Sequence, residues 1–265
     1  MTITECYANP TDSSVTKQMI RVVTYNIRAG IGMDGCYDLR RVSAALATYD
    51  ADVIGLQEVD VCWGERSDWD NQVVELADRL QMHSFFAPIY ALDPSGPGKA
   101  GRYYGLAILS RYPFTRMTNH MMTRLSTQVA KPVPAPAPGF ADVEIDANGV
   151  SLRVMNVQLD YRPDPTVRKM QAGEILSATA SLQVPAVLVG DFNALPGAPE
   201  LAPLAEVWID AWRVRGDGPG ATFPADTPTR RIDWIMVSPG IDVEDISVES
   251  TLASDHRPVV VDLIV

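Results

Sequence analysis

Cysteine is scarce in this chain, with only Cys6, Cys36 and Cys62 in 265 residues. The number is odd and the spacing is not that of paired ligands, which argues against a disulfide framework and against a cysteine-rich zinc site. Histidine is as rare: His83, His120 and His256 are the whole supply for an imidazole site. Basic residues are outnumbered, 22 Lys and Arg against 33 Asp and Glu, for a formal net charge of −11. A protein that grips a long stretch of nucleic acid shows a basic footprint, and neither the balance nor any basic run supplies one. No apolar run approaches the ~20 residues that span a bilayer. The start, MTITECYANPTDSSVTKQ, lacks the basic n-region and apolar core of a signal peptide. Residues 1–18 therefore read as a loosely packed leader to a domain over 19–265, and a cytoplasmic location is the default expectation.

What is present is the composition of a soluble globular protein, 46% hydrophobic and 21% charged. MIRVVTYNI, Met19 to Ile27, reads as a buried strand, and DLRRVSAALATY after it places Leu39, Val42, Leu46 and Tyr49 at helical spacing. DVIGLQ returns as a strand, Asp52 to Gln57, for a β-α-β start. Asn71 to Gln81 reads as a helix with Val73, Val74, Ala77 and Leu80 inward. Strands follow over Ser84 to Tyr90, Tyr104 to Ser110 and beyond Pro113. LDPSGPGKAGR lacks the spacing of a phosphate-binding P-loop, and KPVPAPAPG, Lys131 to Gly139, reads as a loop. ADVEI and SLRVMNVQL are joined by Asp-Ala-Asn-Gly, a hairpin signal. Asp164 and Pro165 suit the N-cap and first position of a helix reaching about Leu182. PAVLVGDFN, RIDWIMVS, the Ile241 to Glu249 region and the apolar end of the chain supply further strands. Strands outnumber helices and interleave with them, the pattern of an α/β layered sandwich.

Polar residues gather where these strands end. DVIGLQ runs into Glu58, AVLVG into Asp191 and Asn193, RIDWIMV opens through Asp233, and Ser254, Asp255 and His256 precede the last strand, with Asn26 near the end of the first. Ser-Asp-His before a strand also suits a turn, since Ser and Asp favour turns and Pro258 can open a strand. Side by side, however, these strands would bring four carboxylates to one sheet edge, where ligand sites of α/β folds are built. Carboxylates that meet in a cleft raise one another's pKa unless a cation neutralises them. With so few histidines, a hard divalent ion such as Mg2+ or Mn2+ suits the oxygen donors.

TYNIR, LQEVD, GLAILSRYP, GDFNALP, RIDWIMVS and SDHRPVVVDL occur in that order between Thr24 and Leu263. The series resembles the endonuclease/exonuclease/phosphatase (DNase I-like) superfamily of metal-dependent phosphohydrolases, with GDFN and SDH its most specific pieces. That resemblance implies a single domain, a four-layer α/β sandwich of two mainly antiparallel or mixed β-sheets packed face to face and flanked by helices. It also implies that Glu58 binds the metal with Asn26 and Asp255 close by. Asp191 would activate or orient the attacking water, Asn193 would hold the phosphate, and Asp233 would support His256. Many members carry His in the slot held here by Gln158, which can hydrogen-bond a phosphate oxygen but cannot exchange a proton at neutral pH. Arg28, Arg102 and Tyr103 are expected substrate contacts from their placement alone.

The reading that follows is a Mg2+- or Mn2+-dependent hydrolase acting on a small or lipid-like phosphoester. A nuclease is the nearest alternative, which the acidic balance disfavours. A non-catalytic module that keeps the fold is the second, at odds with the retention of Glu58, Asp191, Asn193, Asp233, Asp255 and His256.

Overall fold

The computed structural model describes residues 17–265. Of the expected leader, residues 1–16 lie outside the described residues. Lys17 and Gln18 do not behave as a leader: Gln18 and Val265 exchange two backbone hydrogen bonds of 3.0 Å, and Lys17 pairs with Asp242. Gln18 thus continues the antiparallel pairing of the strands that run from Met19 and to Ile264.

Each of the two sheets is built around one parallel pair. In the first, β1 (Met19–Asn26) lies parallel to β2 (Val53–Val61), with the crossover through α1 (Leu39–Ala47). α2 (Gln72–Leu80) then leads to β3 (His83–Leu92) and β4 (Arg102–Ser110). In the second, β7 (Val150–Gln158) lies parallel to β8 (Ala186–Asp191), with the crossover through α3 (Thr166–Thr179). Its other strands are β5 (Phe114–Arg124), β6 (Ala135–Ala147), β9 (Ile209–Asp210) and β10 (Asp233–Val237). β11 (Asp242–Val248) and β12 (Val259–Ile264) return to the first sheet, so the two orders are β11-β12-β1-β2-β4-β3 and β5-β6-β7-β8-β10-β9.

Period-two alternation assigns each strand's side chains to one of two cores. Ile20, Val22, Leu106, Ile108, Val154, Val187, Val189 and Ile235 meet between the sheets. Residues of opposite parity pack under helices: Val23, Tyr25, Ile54 and Leu56 against α1 and α2, and Met155, Leu188 and Met236 against α3. Helix, sheet, sheet and helix make the four layers. Each such buried aliphatic side chain contributes about 1.5 to 3 kcal/mol. No helix among the described residues is long and apolar enough to cross a membrane.

Three local expectations differ from what is found. Residues 135–139 of the proline-rich segment are strand, because Pro136 and Pro138 pair with Thr123 and Met121 of β5 where β7 does not extend. Their positions are two apart, so both missing N–H groups fall on one side of β6, and an edge tolerates that. In α2, Val74 is half exposed and Leu76 takes the inward place. α3 begins at Thr166, one residue later than read, with Asp164 Oδ1 accepting from the Thr166 N–H, and it stops at Thr179.

Asp142 on β6 is fully buried and accepts hydrogen bonds from Arg116, Arg153 and His120, the closest at 2.6 Å. Burial opposes its charge, but these three partners prevail and hold the carboxyl well below its ordinary value. Its stabilising contribution is therefore complete above the ordinary carboxylate range and fades as pH falls through the folded value. Asp142→Asn is expected to cost about 3 to 5 kcal/mol at neutral pH, since it strands the cations. Urea unfolding at pH 7 and pH 3 checks this, with the gap between variant and wild type narrower at pH 3.

Candidate active site

Both parallel pairs end on the same edge of the sandwich. Asn26 is in register with Gln57 in the first sheet; Gln158, Asp191 and Asp233 stand in a row across β7, β8 and β10 in the second. Asp191, Asp233 and Gln158 have the parity of the inter-sheet core, so each enters the crevice where the apolar filling stops.

Glu58 reaches that crevice only through an irregularity. The β2–β4 register breaks between Leu56 and Val59, and Glu58 sits in the break at φ 57°. Such a bulge inserts one residue and re-aims a side chain. Without it, Glu58 would share the helix-facing parity of Ile54 and Leu56. Val59 resumes that parity one residue late. The break is tied from the opposite sheet: the buried Asn156 amide donates to the carbonyls of Leu56 at 2.9 Å and Ala107 at 3.0 Å, and its oxygen accepts from Gln57 at 2.7 Å. Asn156→Leu leaves two buried carbonyls without donors, each worth about 1 to 3 kcal/mol. A stability loss of about 2 to 5 kcal/mol in urea unfolding is expected.

The converging side chains form one connected network. Asn26 Nδ2 donates to Glu58 Oε1 at 3.1 Å and to Asp191 Oδ2 at 3.2 Å, bridging the sheets. Gln158 Nε2 donates to the same Glu58 oxygen at 2.9 Å, so its amide serves Glu58. Asn193, at φ 49°, donates its backbone N–H to Asp191 Oδ1 at 3.0 Å and its amide to the Leu159 carbonyl and Asp191 Oδ2. His256 Nδ1 lies 2.9 and 3.1 Å from the two oxygens of Asp233, and the Thr222 hydroxyl donates to Asp233 at 2.5 Å. Ser254 fixes the Ser-Asp-His turn, its hydroxyl donating to the Asn26 carbonyl at 2.7 Å.

Charge in this crevice is out of balance. Burial first, then the neighbouring Asp233 and Glu58, push Asp191 up to about 7, against the opposing pull of His256 and the Asn193 N–H. Burial acts against charged His256, yet Asp233, Asp191 and Asp255 outweigh it and raise the imidazole to about 10. His256 is therefore protonated at neutral pH, and its Nδ1–H is engaged by Asp233. Asp191, Asp233 and His256 lie close enough to hold an ion together. A protonated imidazole is no ligand, however, and Asp233 already serves His256 and Thr222. Glu58 fits a hard cation better: both amides use Oε1, and Oε2 has no donor among the described residues. Asp255, partly exposed and 3.4 Å from Arg28 Nε, is linked to Asn26 through the Ser254 hydroxyl, which lies 2.7 Å from the Asn26 carbonyl and 3.3 Å from Asp255 Oδ1.

Beside these groups is a cleft of about 280 Å³, whose lining includes Glu58, Gln158, Asp191, Asn193 and His256. Arg28 does not line the cleft and pairs with Asp255. Arg102 and Tyr103 do not line the cleft: Arg102 Nε is held by the Asp93 carbonyl, and alternation along β4 turns Tyr104 inward in place of Tyr103. The cleft is also lined by Trp63, Arg66, Arg124 and Arg162, which sequence reading passed over because they come from three separate segments.

A family profile described as "Endonuclease/Exonuclease/phosphatase family" matches residues 23–256. No curated protein matches significantly. Among solved structures, an endonuclease/exonuclease/phosphatase from Beutenbergia cavernae superposes with a TM-score of 0.76 at 24% identity, over 93% of this chain and 72% of that one. The mannosyl-6-phosphatase of Bacteroides thetaiotaomicron gives 0.67 at 19%, over 93% and 100%. The catalytic domain of human Nocturnin, with bound sulfate, gives 0.66 at 19%, over 94% and 98%. These likenesses establish a shared fold. With the profile running from β1 to the histidine of the Ser-Asp-His turn, the chain belongs to the endonuclease/exonuclease/phosphatase family, whose members hydrolyse phosphoester bonds.

Proposed function

We propose that this protein is a Mg2+- or Mn2+-dependent hydrolase that cleaves a small or lipid-like phosphoester by in-line attack of water, with 19–265 as one catalytic domain. The observation that carries the reading is the Asn26–Glu58–Asp191 bridge between the sheets beside a protonated His256. A purely structural protein gains nothing by crowding these acids, because each unneutralised carboxylate raises its neighbours' pKa and weakens the fold.

A hard divalent ion, when bound, would neutralise the carboxylates and withdraw charge from a phosphoryl oxygen. Glu58, Asn26 and Asp255 are the residues to hold it. Asp191 would orient the attacking water and accept its proton as the new O–P bond forms and the ester P–O bond breaks. Asn193 would fix a phosphoryl oxygen. With Nδ1 committed to Asp233, His256 offers its Nε2–H to the charge that grows on the phosphoryl and leaving oxygens. Gln158 would act chiefly by orienting Glu58, which gives the departure from the usual His a role without proton transfer.

The local charge favours a small substrate over DNA. Arg66 and Arg162 are each paired with an acid, Asp60 and Asp160, so the cleft has no broad basic surface. A panel of nitrophenyl phosphate, bis-nitrophenyl phosphate, phospholipid and DNA with Mg2+, Mn2+ or EDTA tests this reading. Metal-dependent cleavage of the small esters or phospholipid is the expected result. Salt-sensitive cleavage of DNA alone would favour the nuclease, and inertness throughout would favour a binding module.

A further inference from the structure

Three arginines line the cleft, but they are not equivalent. Arg66 is held by buried Asp60 at 2.7 Å and lies 5.6 Å from the Tyr104 ring centre. Arg162 is held by Asp160 at 2.5 Å and stacks over Tyr161. Arg124 forms no ion pair among the described residues. Its contacts are with three neutral carbonyls: Nε to Pro138 at 3.2 Å, Nη1 to Gln158 at 3.1 Å and Nη2 to Gly139 at 2.5 Å. Burial drives its ordinary value down to about 10, which still leaves it charged at neutral pH.

A guanidinium has five N–H groups. Three are used on the carbonyls, so one remains on each terminal nitrogen. Two parallel N–H groups are the fork that matches a carboxylate or a phosphate. Arg124 therefore brings to the cleft a charge that no acid contacts directly, Asp160 and Glu174 acting on it only from further away, together with the donors that an oxyanion needs. It is also tied to the acid cluster through one residue: it grips the carbonyl of Gln158, whose side chain holds Glu58. At about 280 Å³ the cleft falls just under the usual range for small-molecule sites, so both groups must belong to a compact molecule.

We propose that Arg124 is the centre of an anion subsite that binds a second acidic group, a carboxylate or phosphate, on the alcohol portion of the substrate. This rests on the phosphoester reading above, with the scissile phosphate at the Glu58–Asp191 end. The acid-paired Arg66 and Arg162 shape the subsite's walls, and the second anion supplies the direct ion-pair partner that Arg124 lacks.

Equilibrium binding of non-hydrolysable probes separates this inference from turnover. Calorimetric titration with Mg2+ present would compare ethylphosphonate, 3-phosphonopropionate and propane-1,3-bisphosphonate, which carry no second acid, a carboxylate and a phosphonate in turn. The expected result is at least ~10-fold tighter binding of one or both diacids, since a charge-assisted pair is worth about 1.5 to 3 kcal/mol. Arg124→Gln should erase that preference while ethylphosphonate affinity changes less than ~3-fold, and Arg124→Lys should retain part of it. Equal affinities in the wild type would overturn the proposal whether or not the variants fold. A preference that survives Arg124→Gln would do so too, because it would reflect chelation of the ion. Diacid preference in a protein that cleaves no phosphoester would leave the subsite standing and remove the catalytic reading instead.

Discussion

Asp191→Asn is expected to lower turnover by about 10² to 10⁴-fold, the usual scale for loss of a general base, while KM changes little. The substitution keeps the shape, and its amide oxygen can still accept from the Asn193 N–H. What it removes is the carboxylate that burial and two neighbouring acids already disfavour. A group whose pKa is raised in the fold opposes folding at pH values above its ordinary range. The metal-free variant should therefore unfold at an equal or higher urea concentration than wild type. Lost turnover with retained stability separates a chemical role from a structural one. Wild-type turnover in the variant would remove Asp191 from the mechanism.

Glu58→Gln is expected to weaken Mg2+ and Mn2+ binding by at least ~10 to 100-fold, the cost of losing even an outer partner at many metal sites, and to lower activity at limiting metal in parallel. The bulge fixes the side chain in place, and Asn26 and Gln158 occupy only one of its oxygens. A neutral amide there can keep one of those hydrogen bonds but loses the charge that draws a hard cation. Titration calorimetry reads the affinity directly, and recovery of activity at high Mn2+ would confirm a binding defect. Unchanged affinity would place the ion elsewhere, with the Asp191, Asp233 and His256 group the next candidate.

Much of this arrangement can be read from the chain because parity in a strand is rigid. Once β1, β2, β7, β8 and β10 are recognised as apolar runs, their polar last or first residues must meet at one edge. Asn26, Gln158, Asp191, Asp233 and His256 are brought together there. Glu58 shows where parity alone fails: its strand reads as ending at Gln57 but runs on to Val61, and only the broken register and left-handed backbone turn Glu58 inward. The same one-residue sensitivity explains Tyr103, whose neighbour Tyr104 takes the cleft position. Pro136 and Pro138 hid a strand because their compatibility depends on which side of β6 is unpaired. Arg124, Thr222 and Asn156 left no local signal, since the partners that give them their place here lie 34, 11 and 100 residues away.

Hydrolysis of a simple phosphodiester in 18O-enriched water is the most direct test of water attack at phosphorus in this cleft. With Mg2+ or Mn2+ restored after EDTA treatment, the phosphoryl product should carry one 18O and the released alcohol none. The rate of that incorporation should fall in Asp191→Asn as turnover does. Label in the alcohol, or no divalent-ion-dependent incorporation from any small, lipid or nucleic-acid phosphoester, would contradict it.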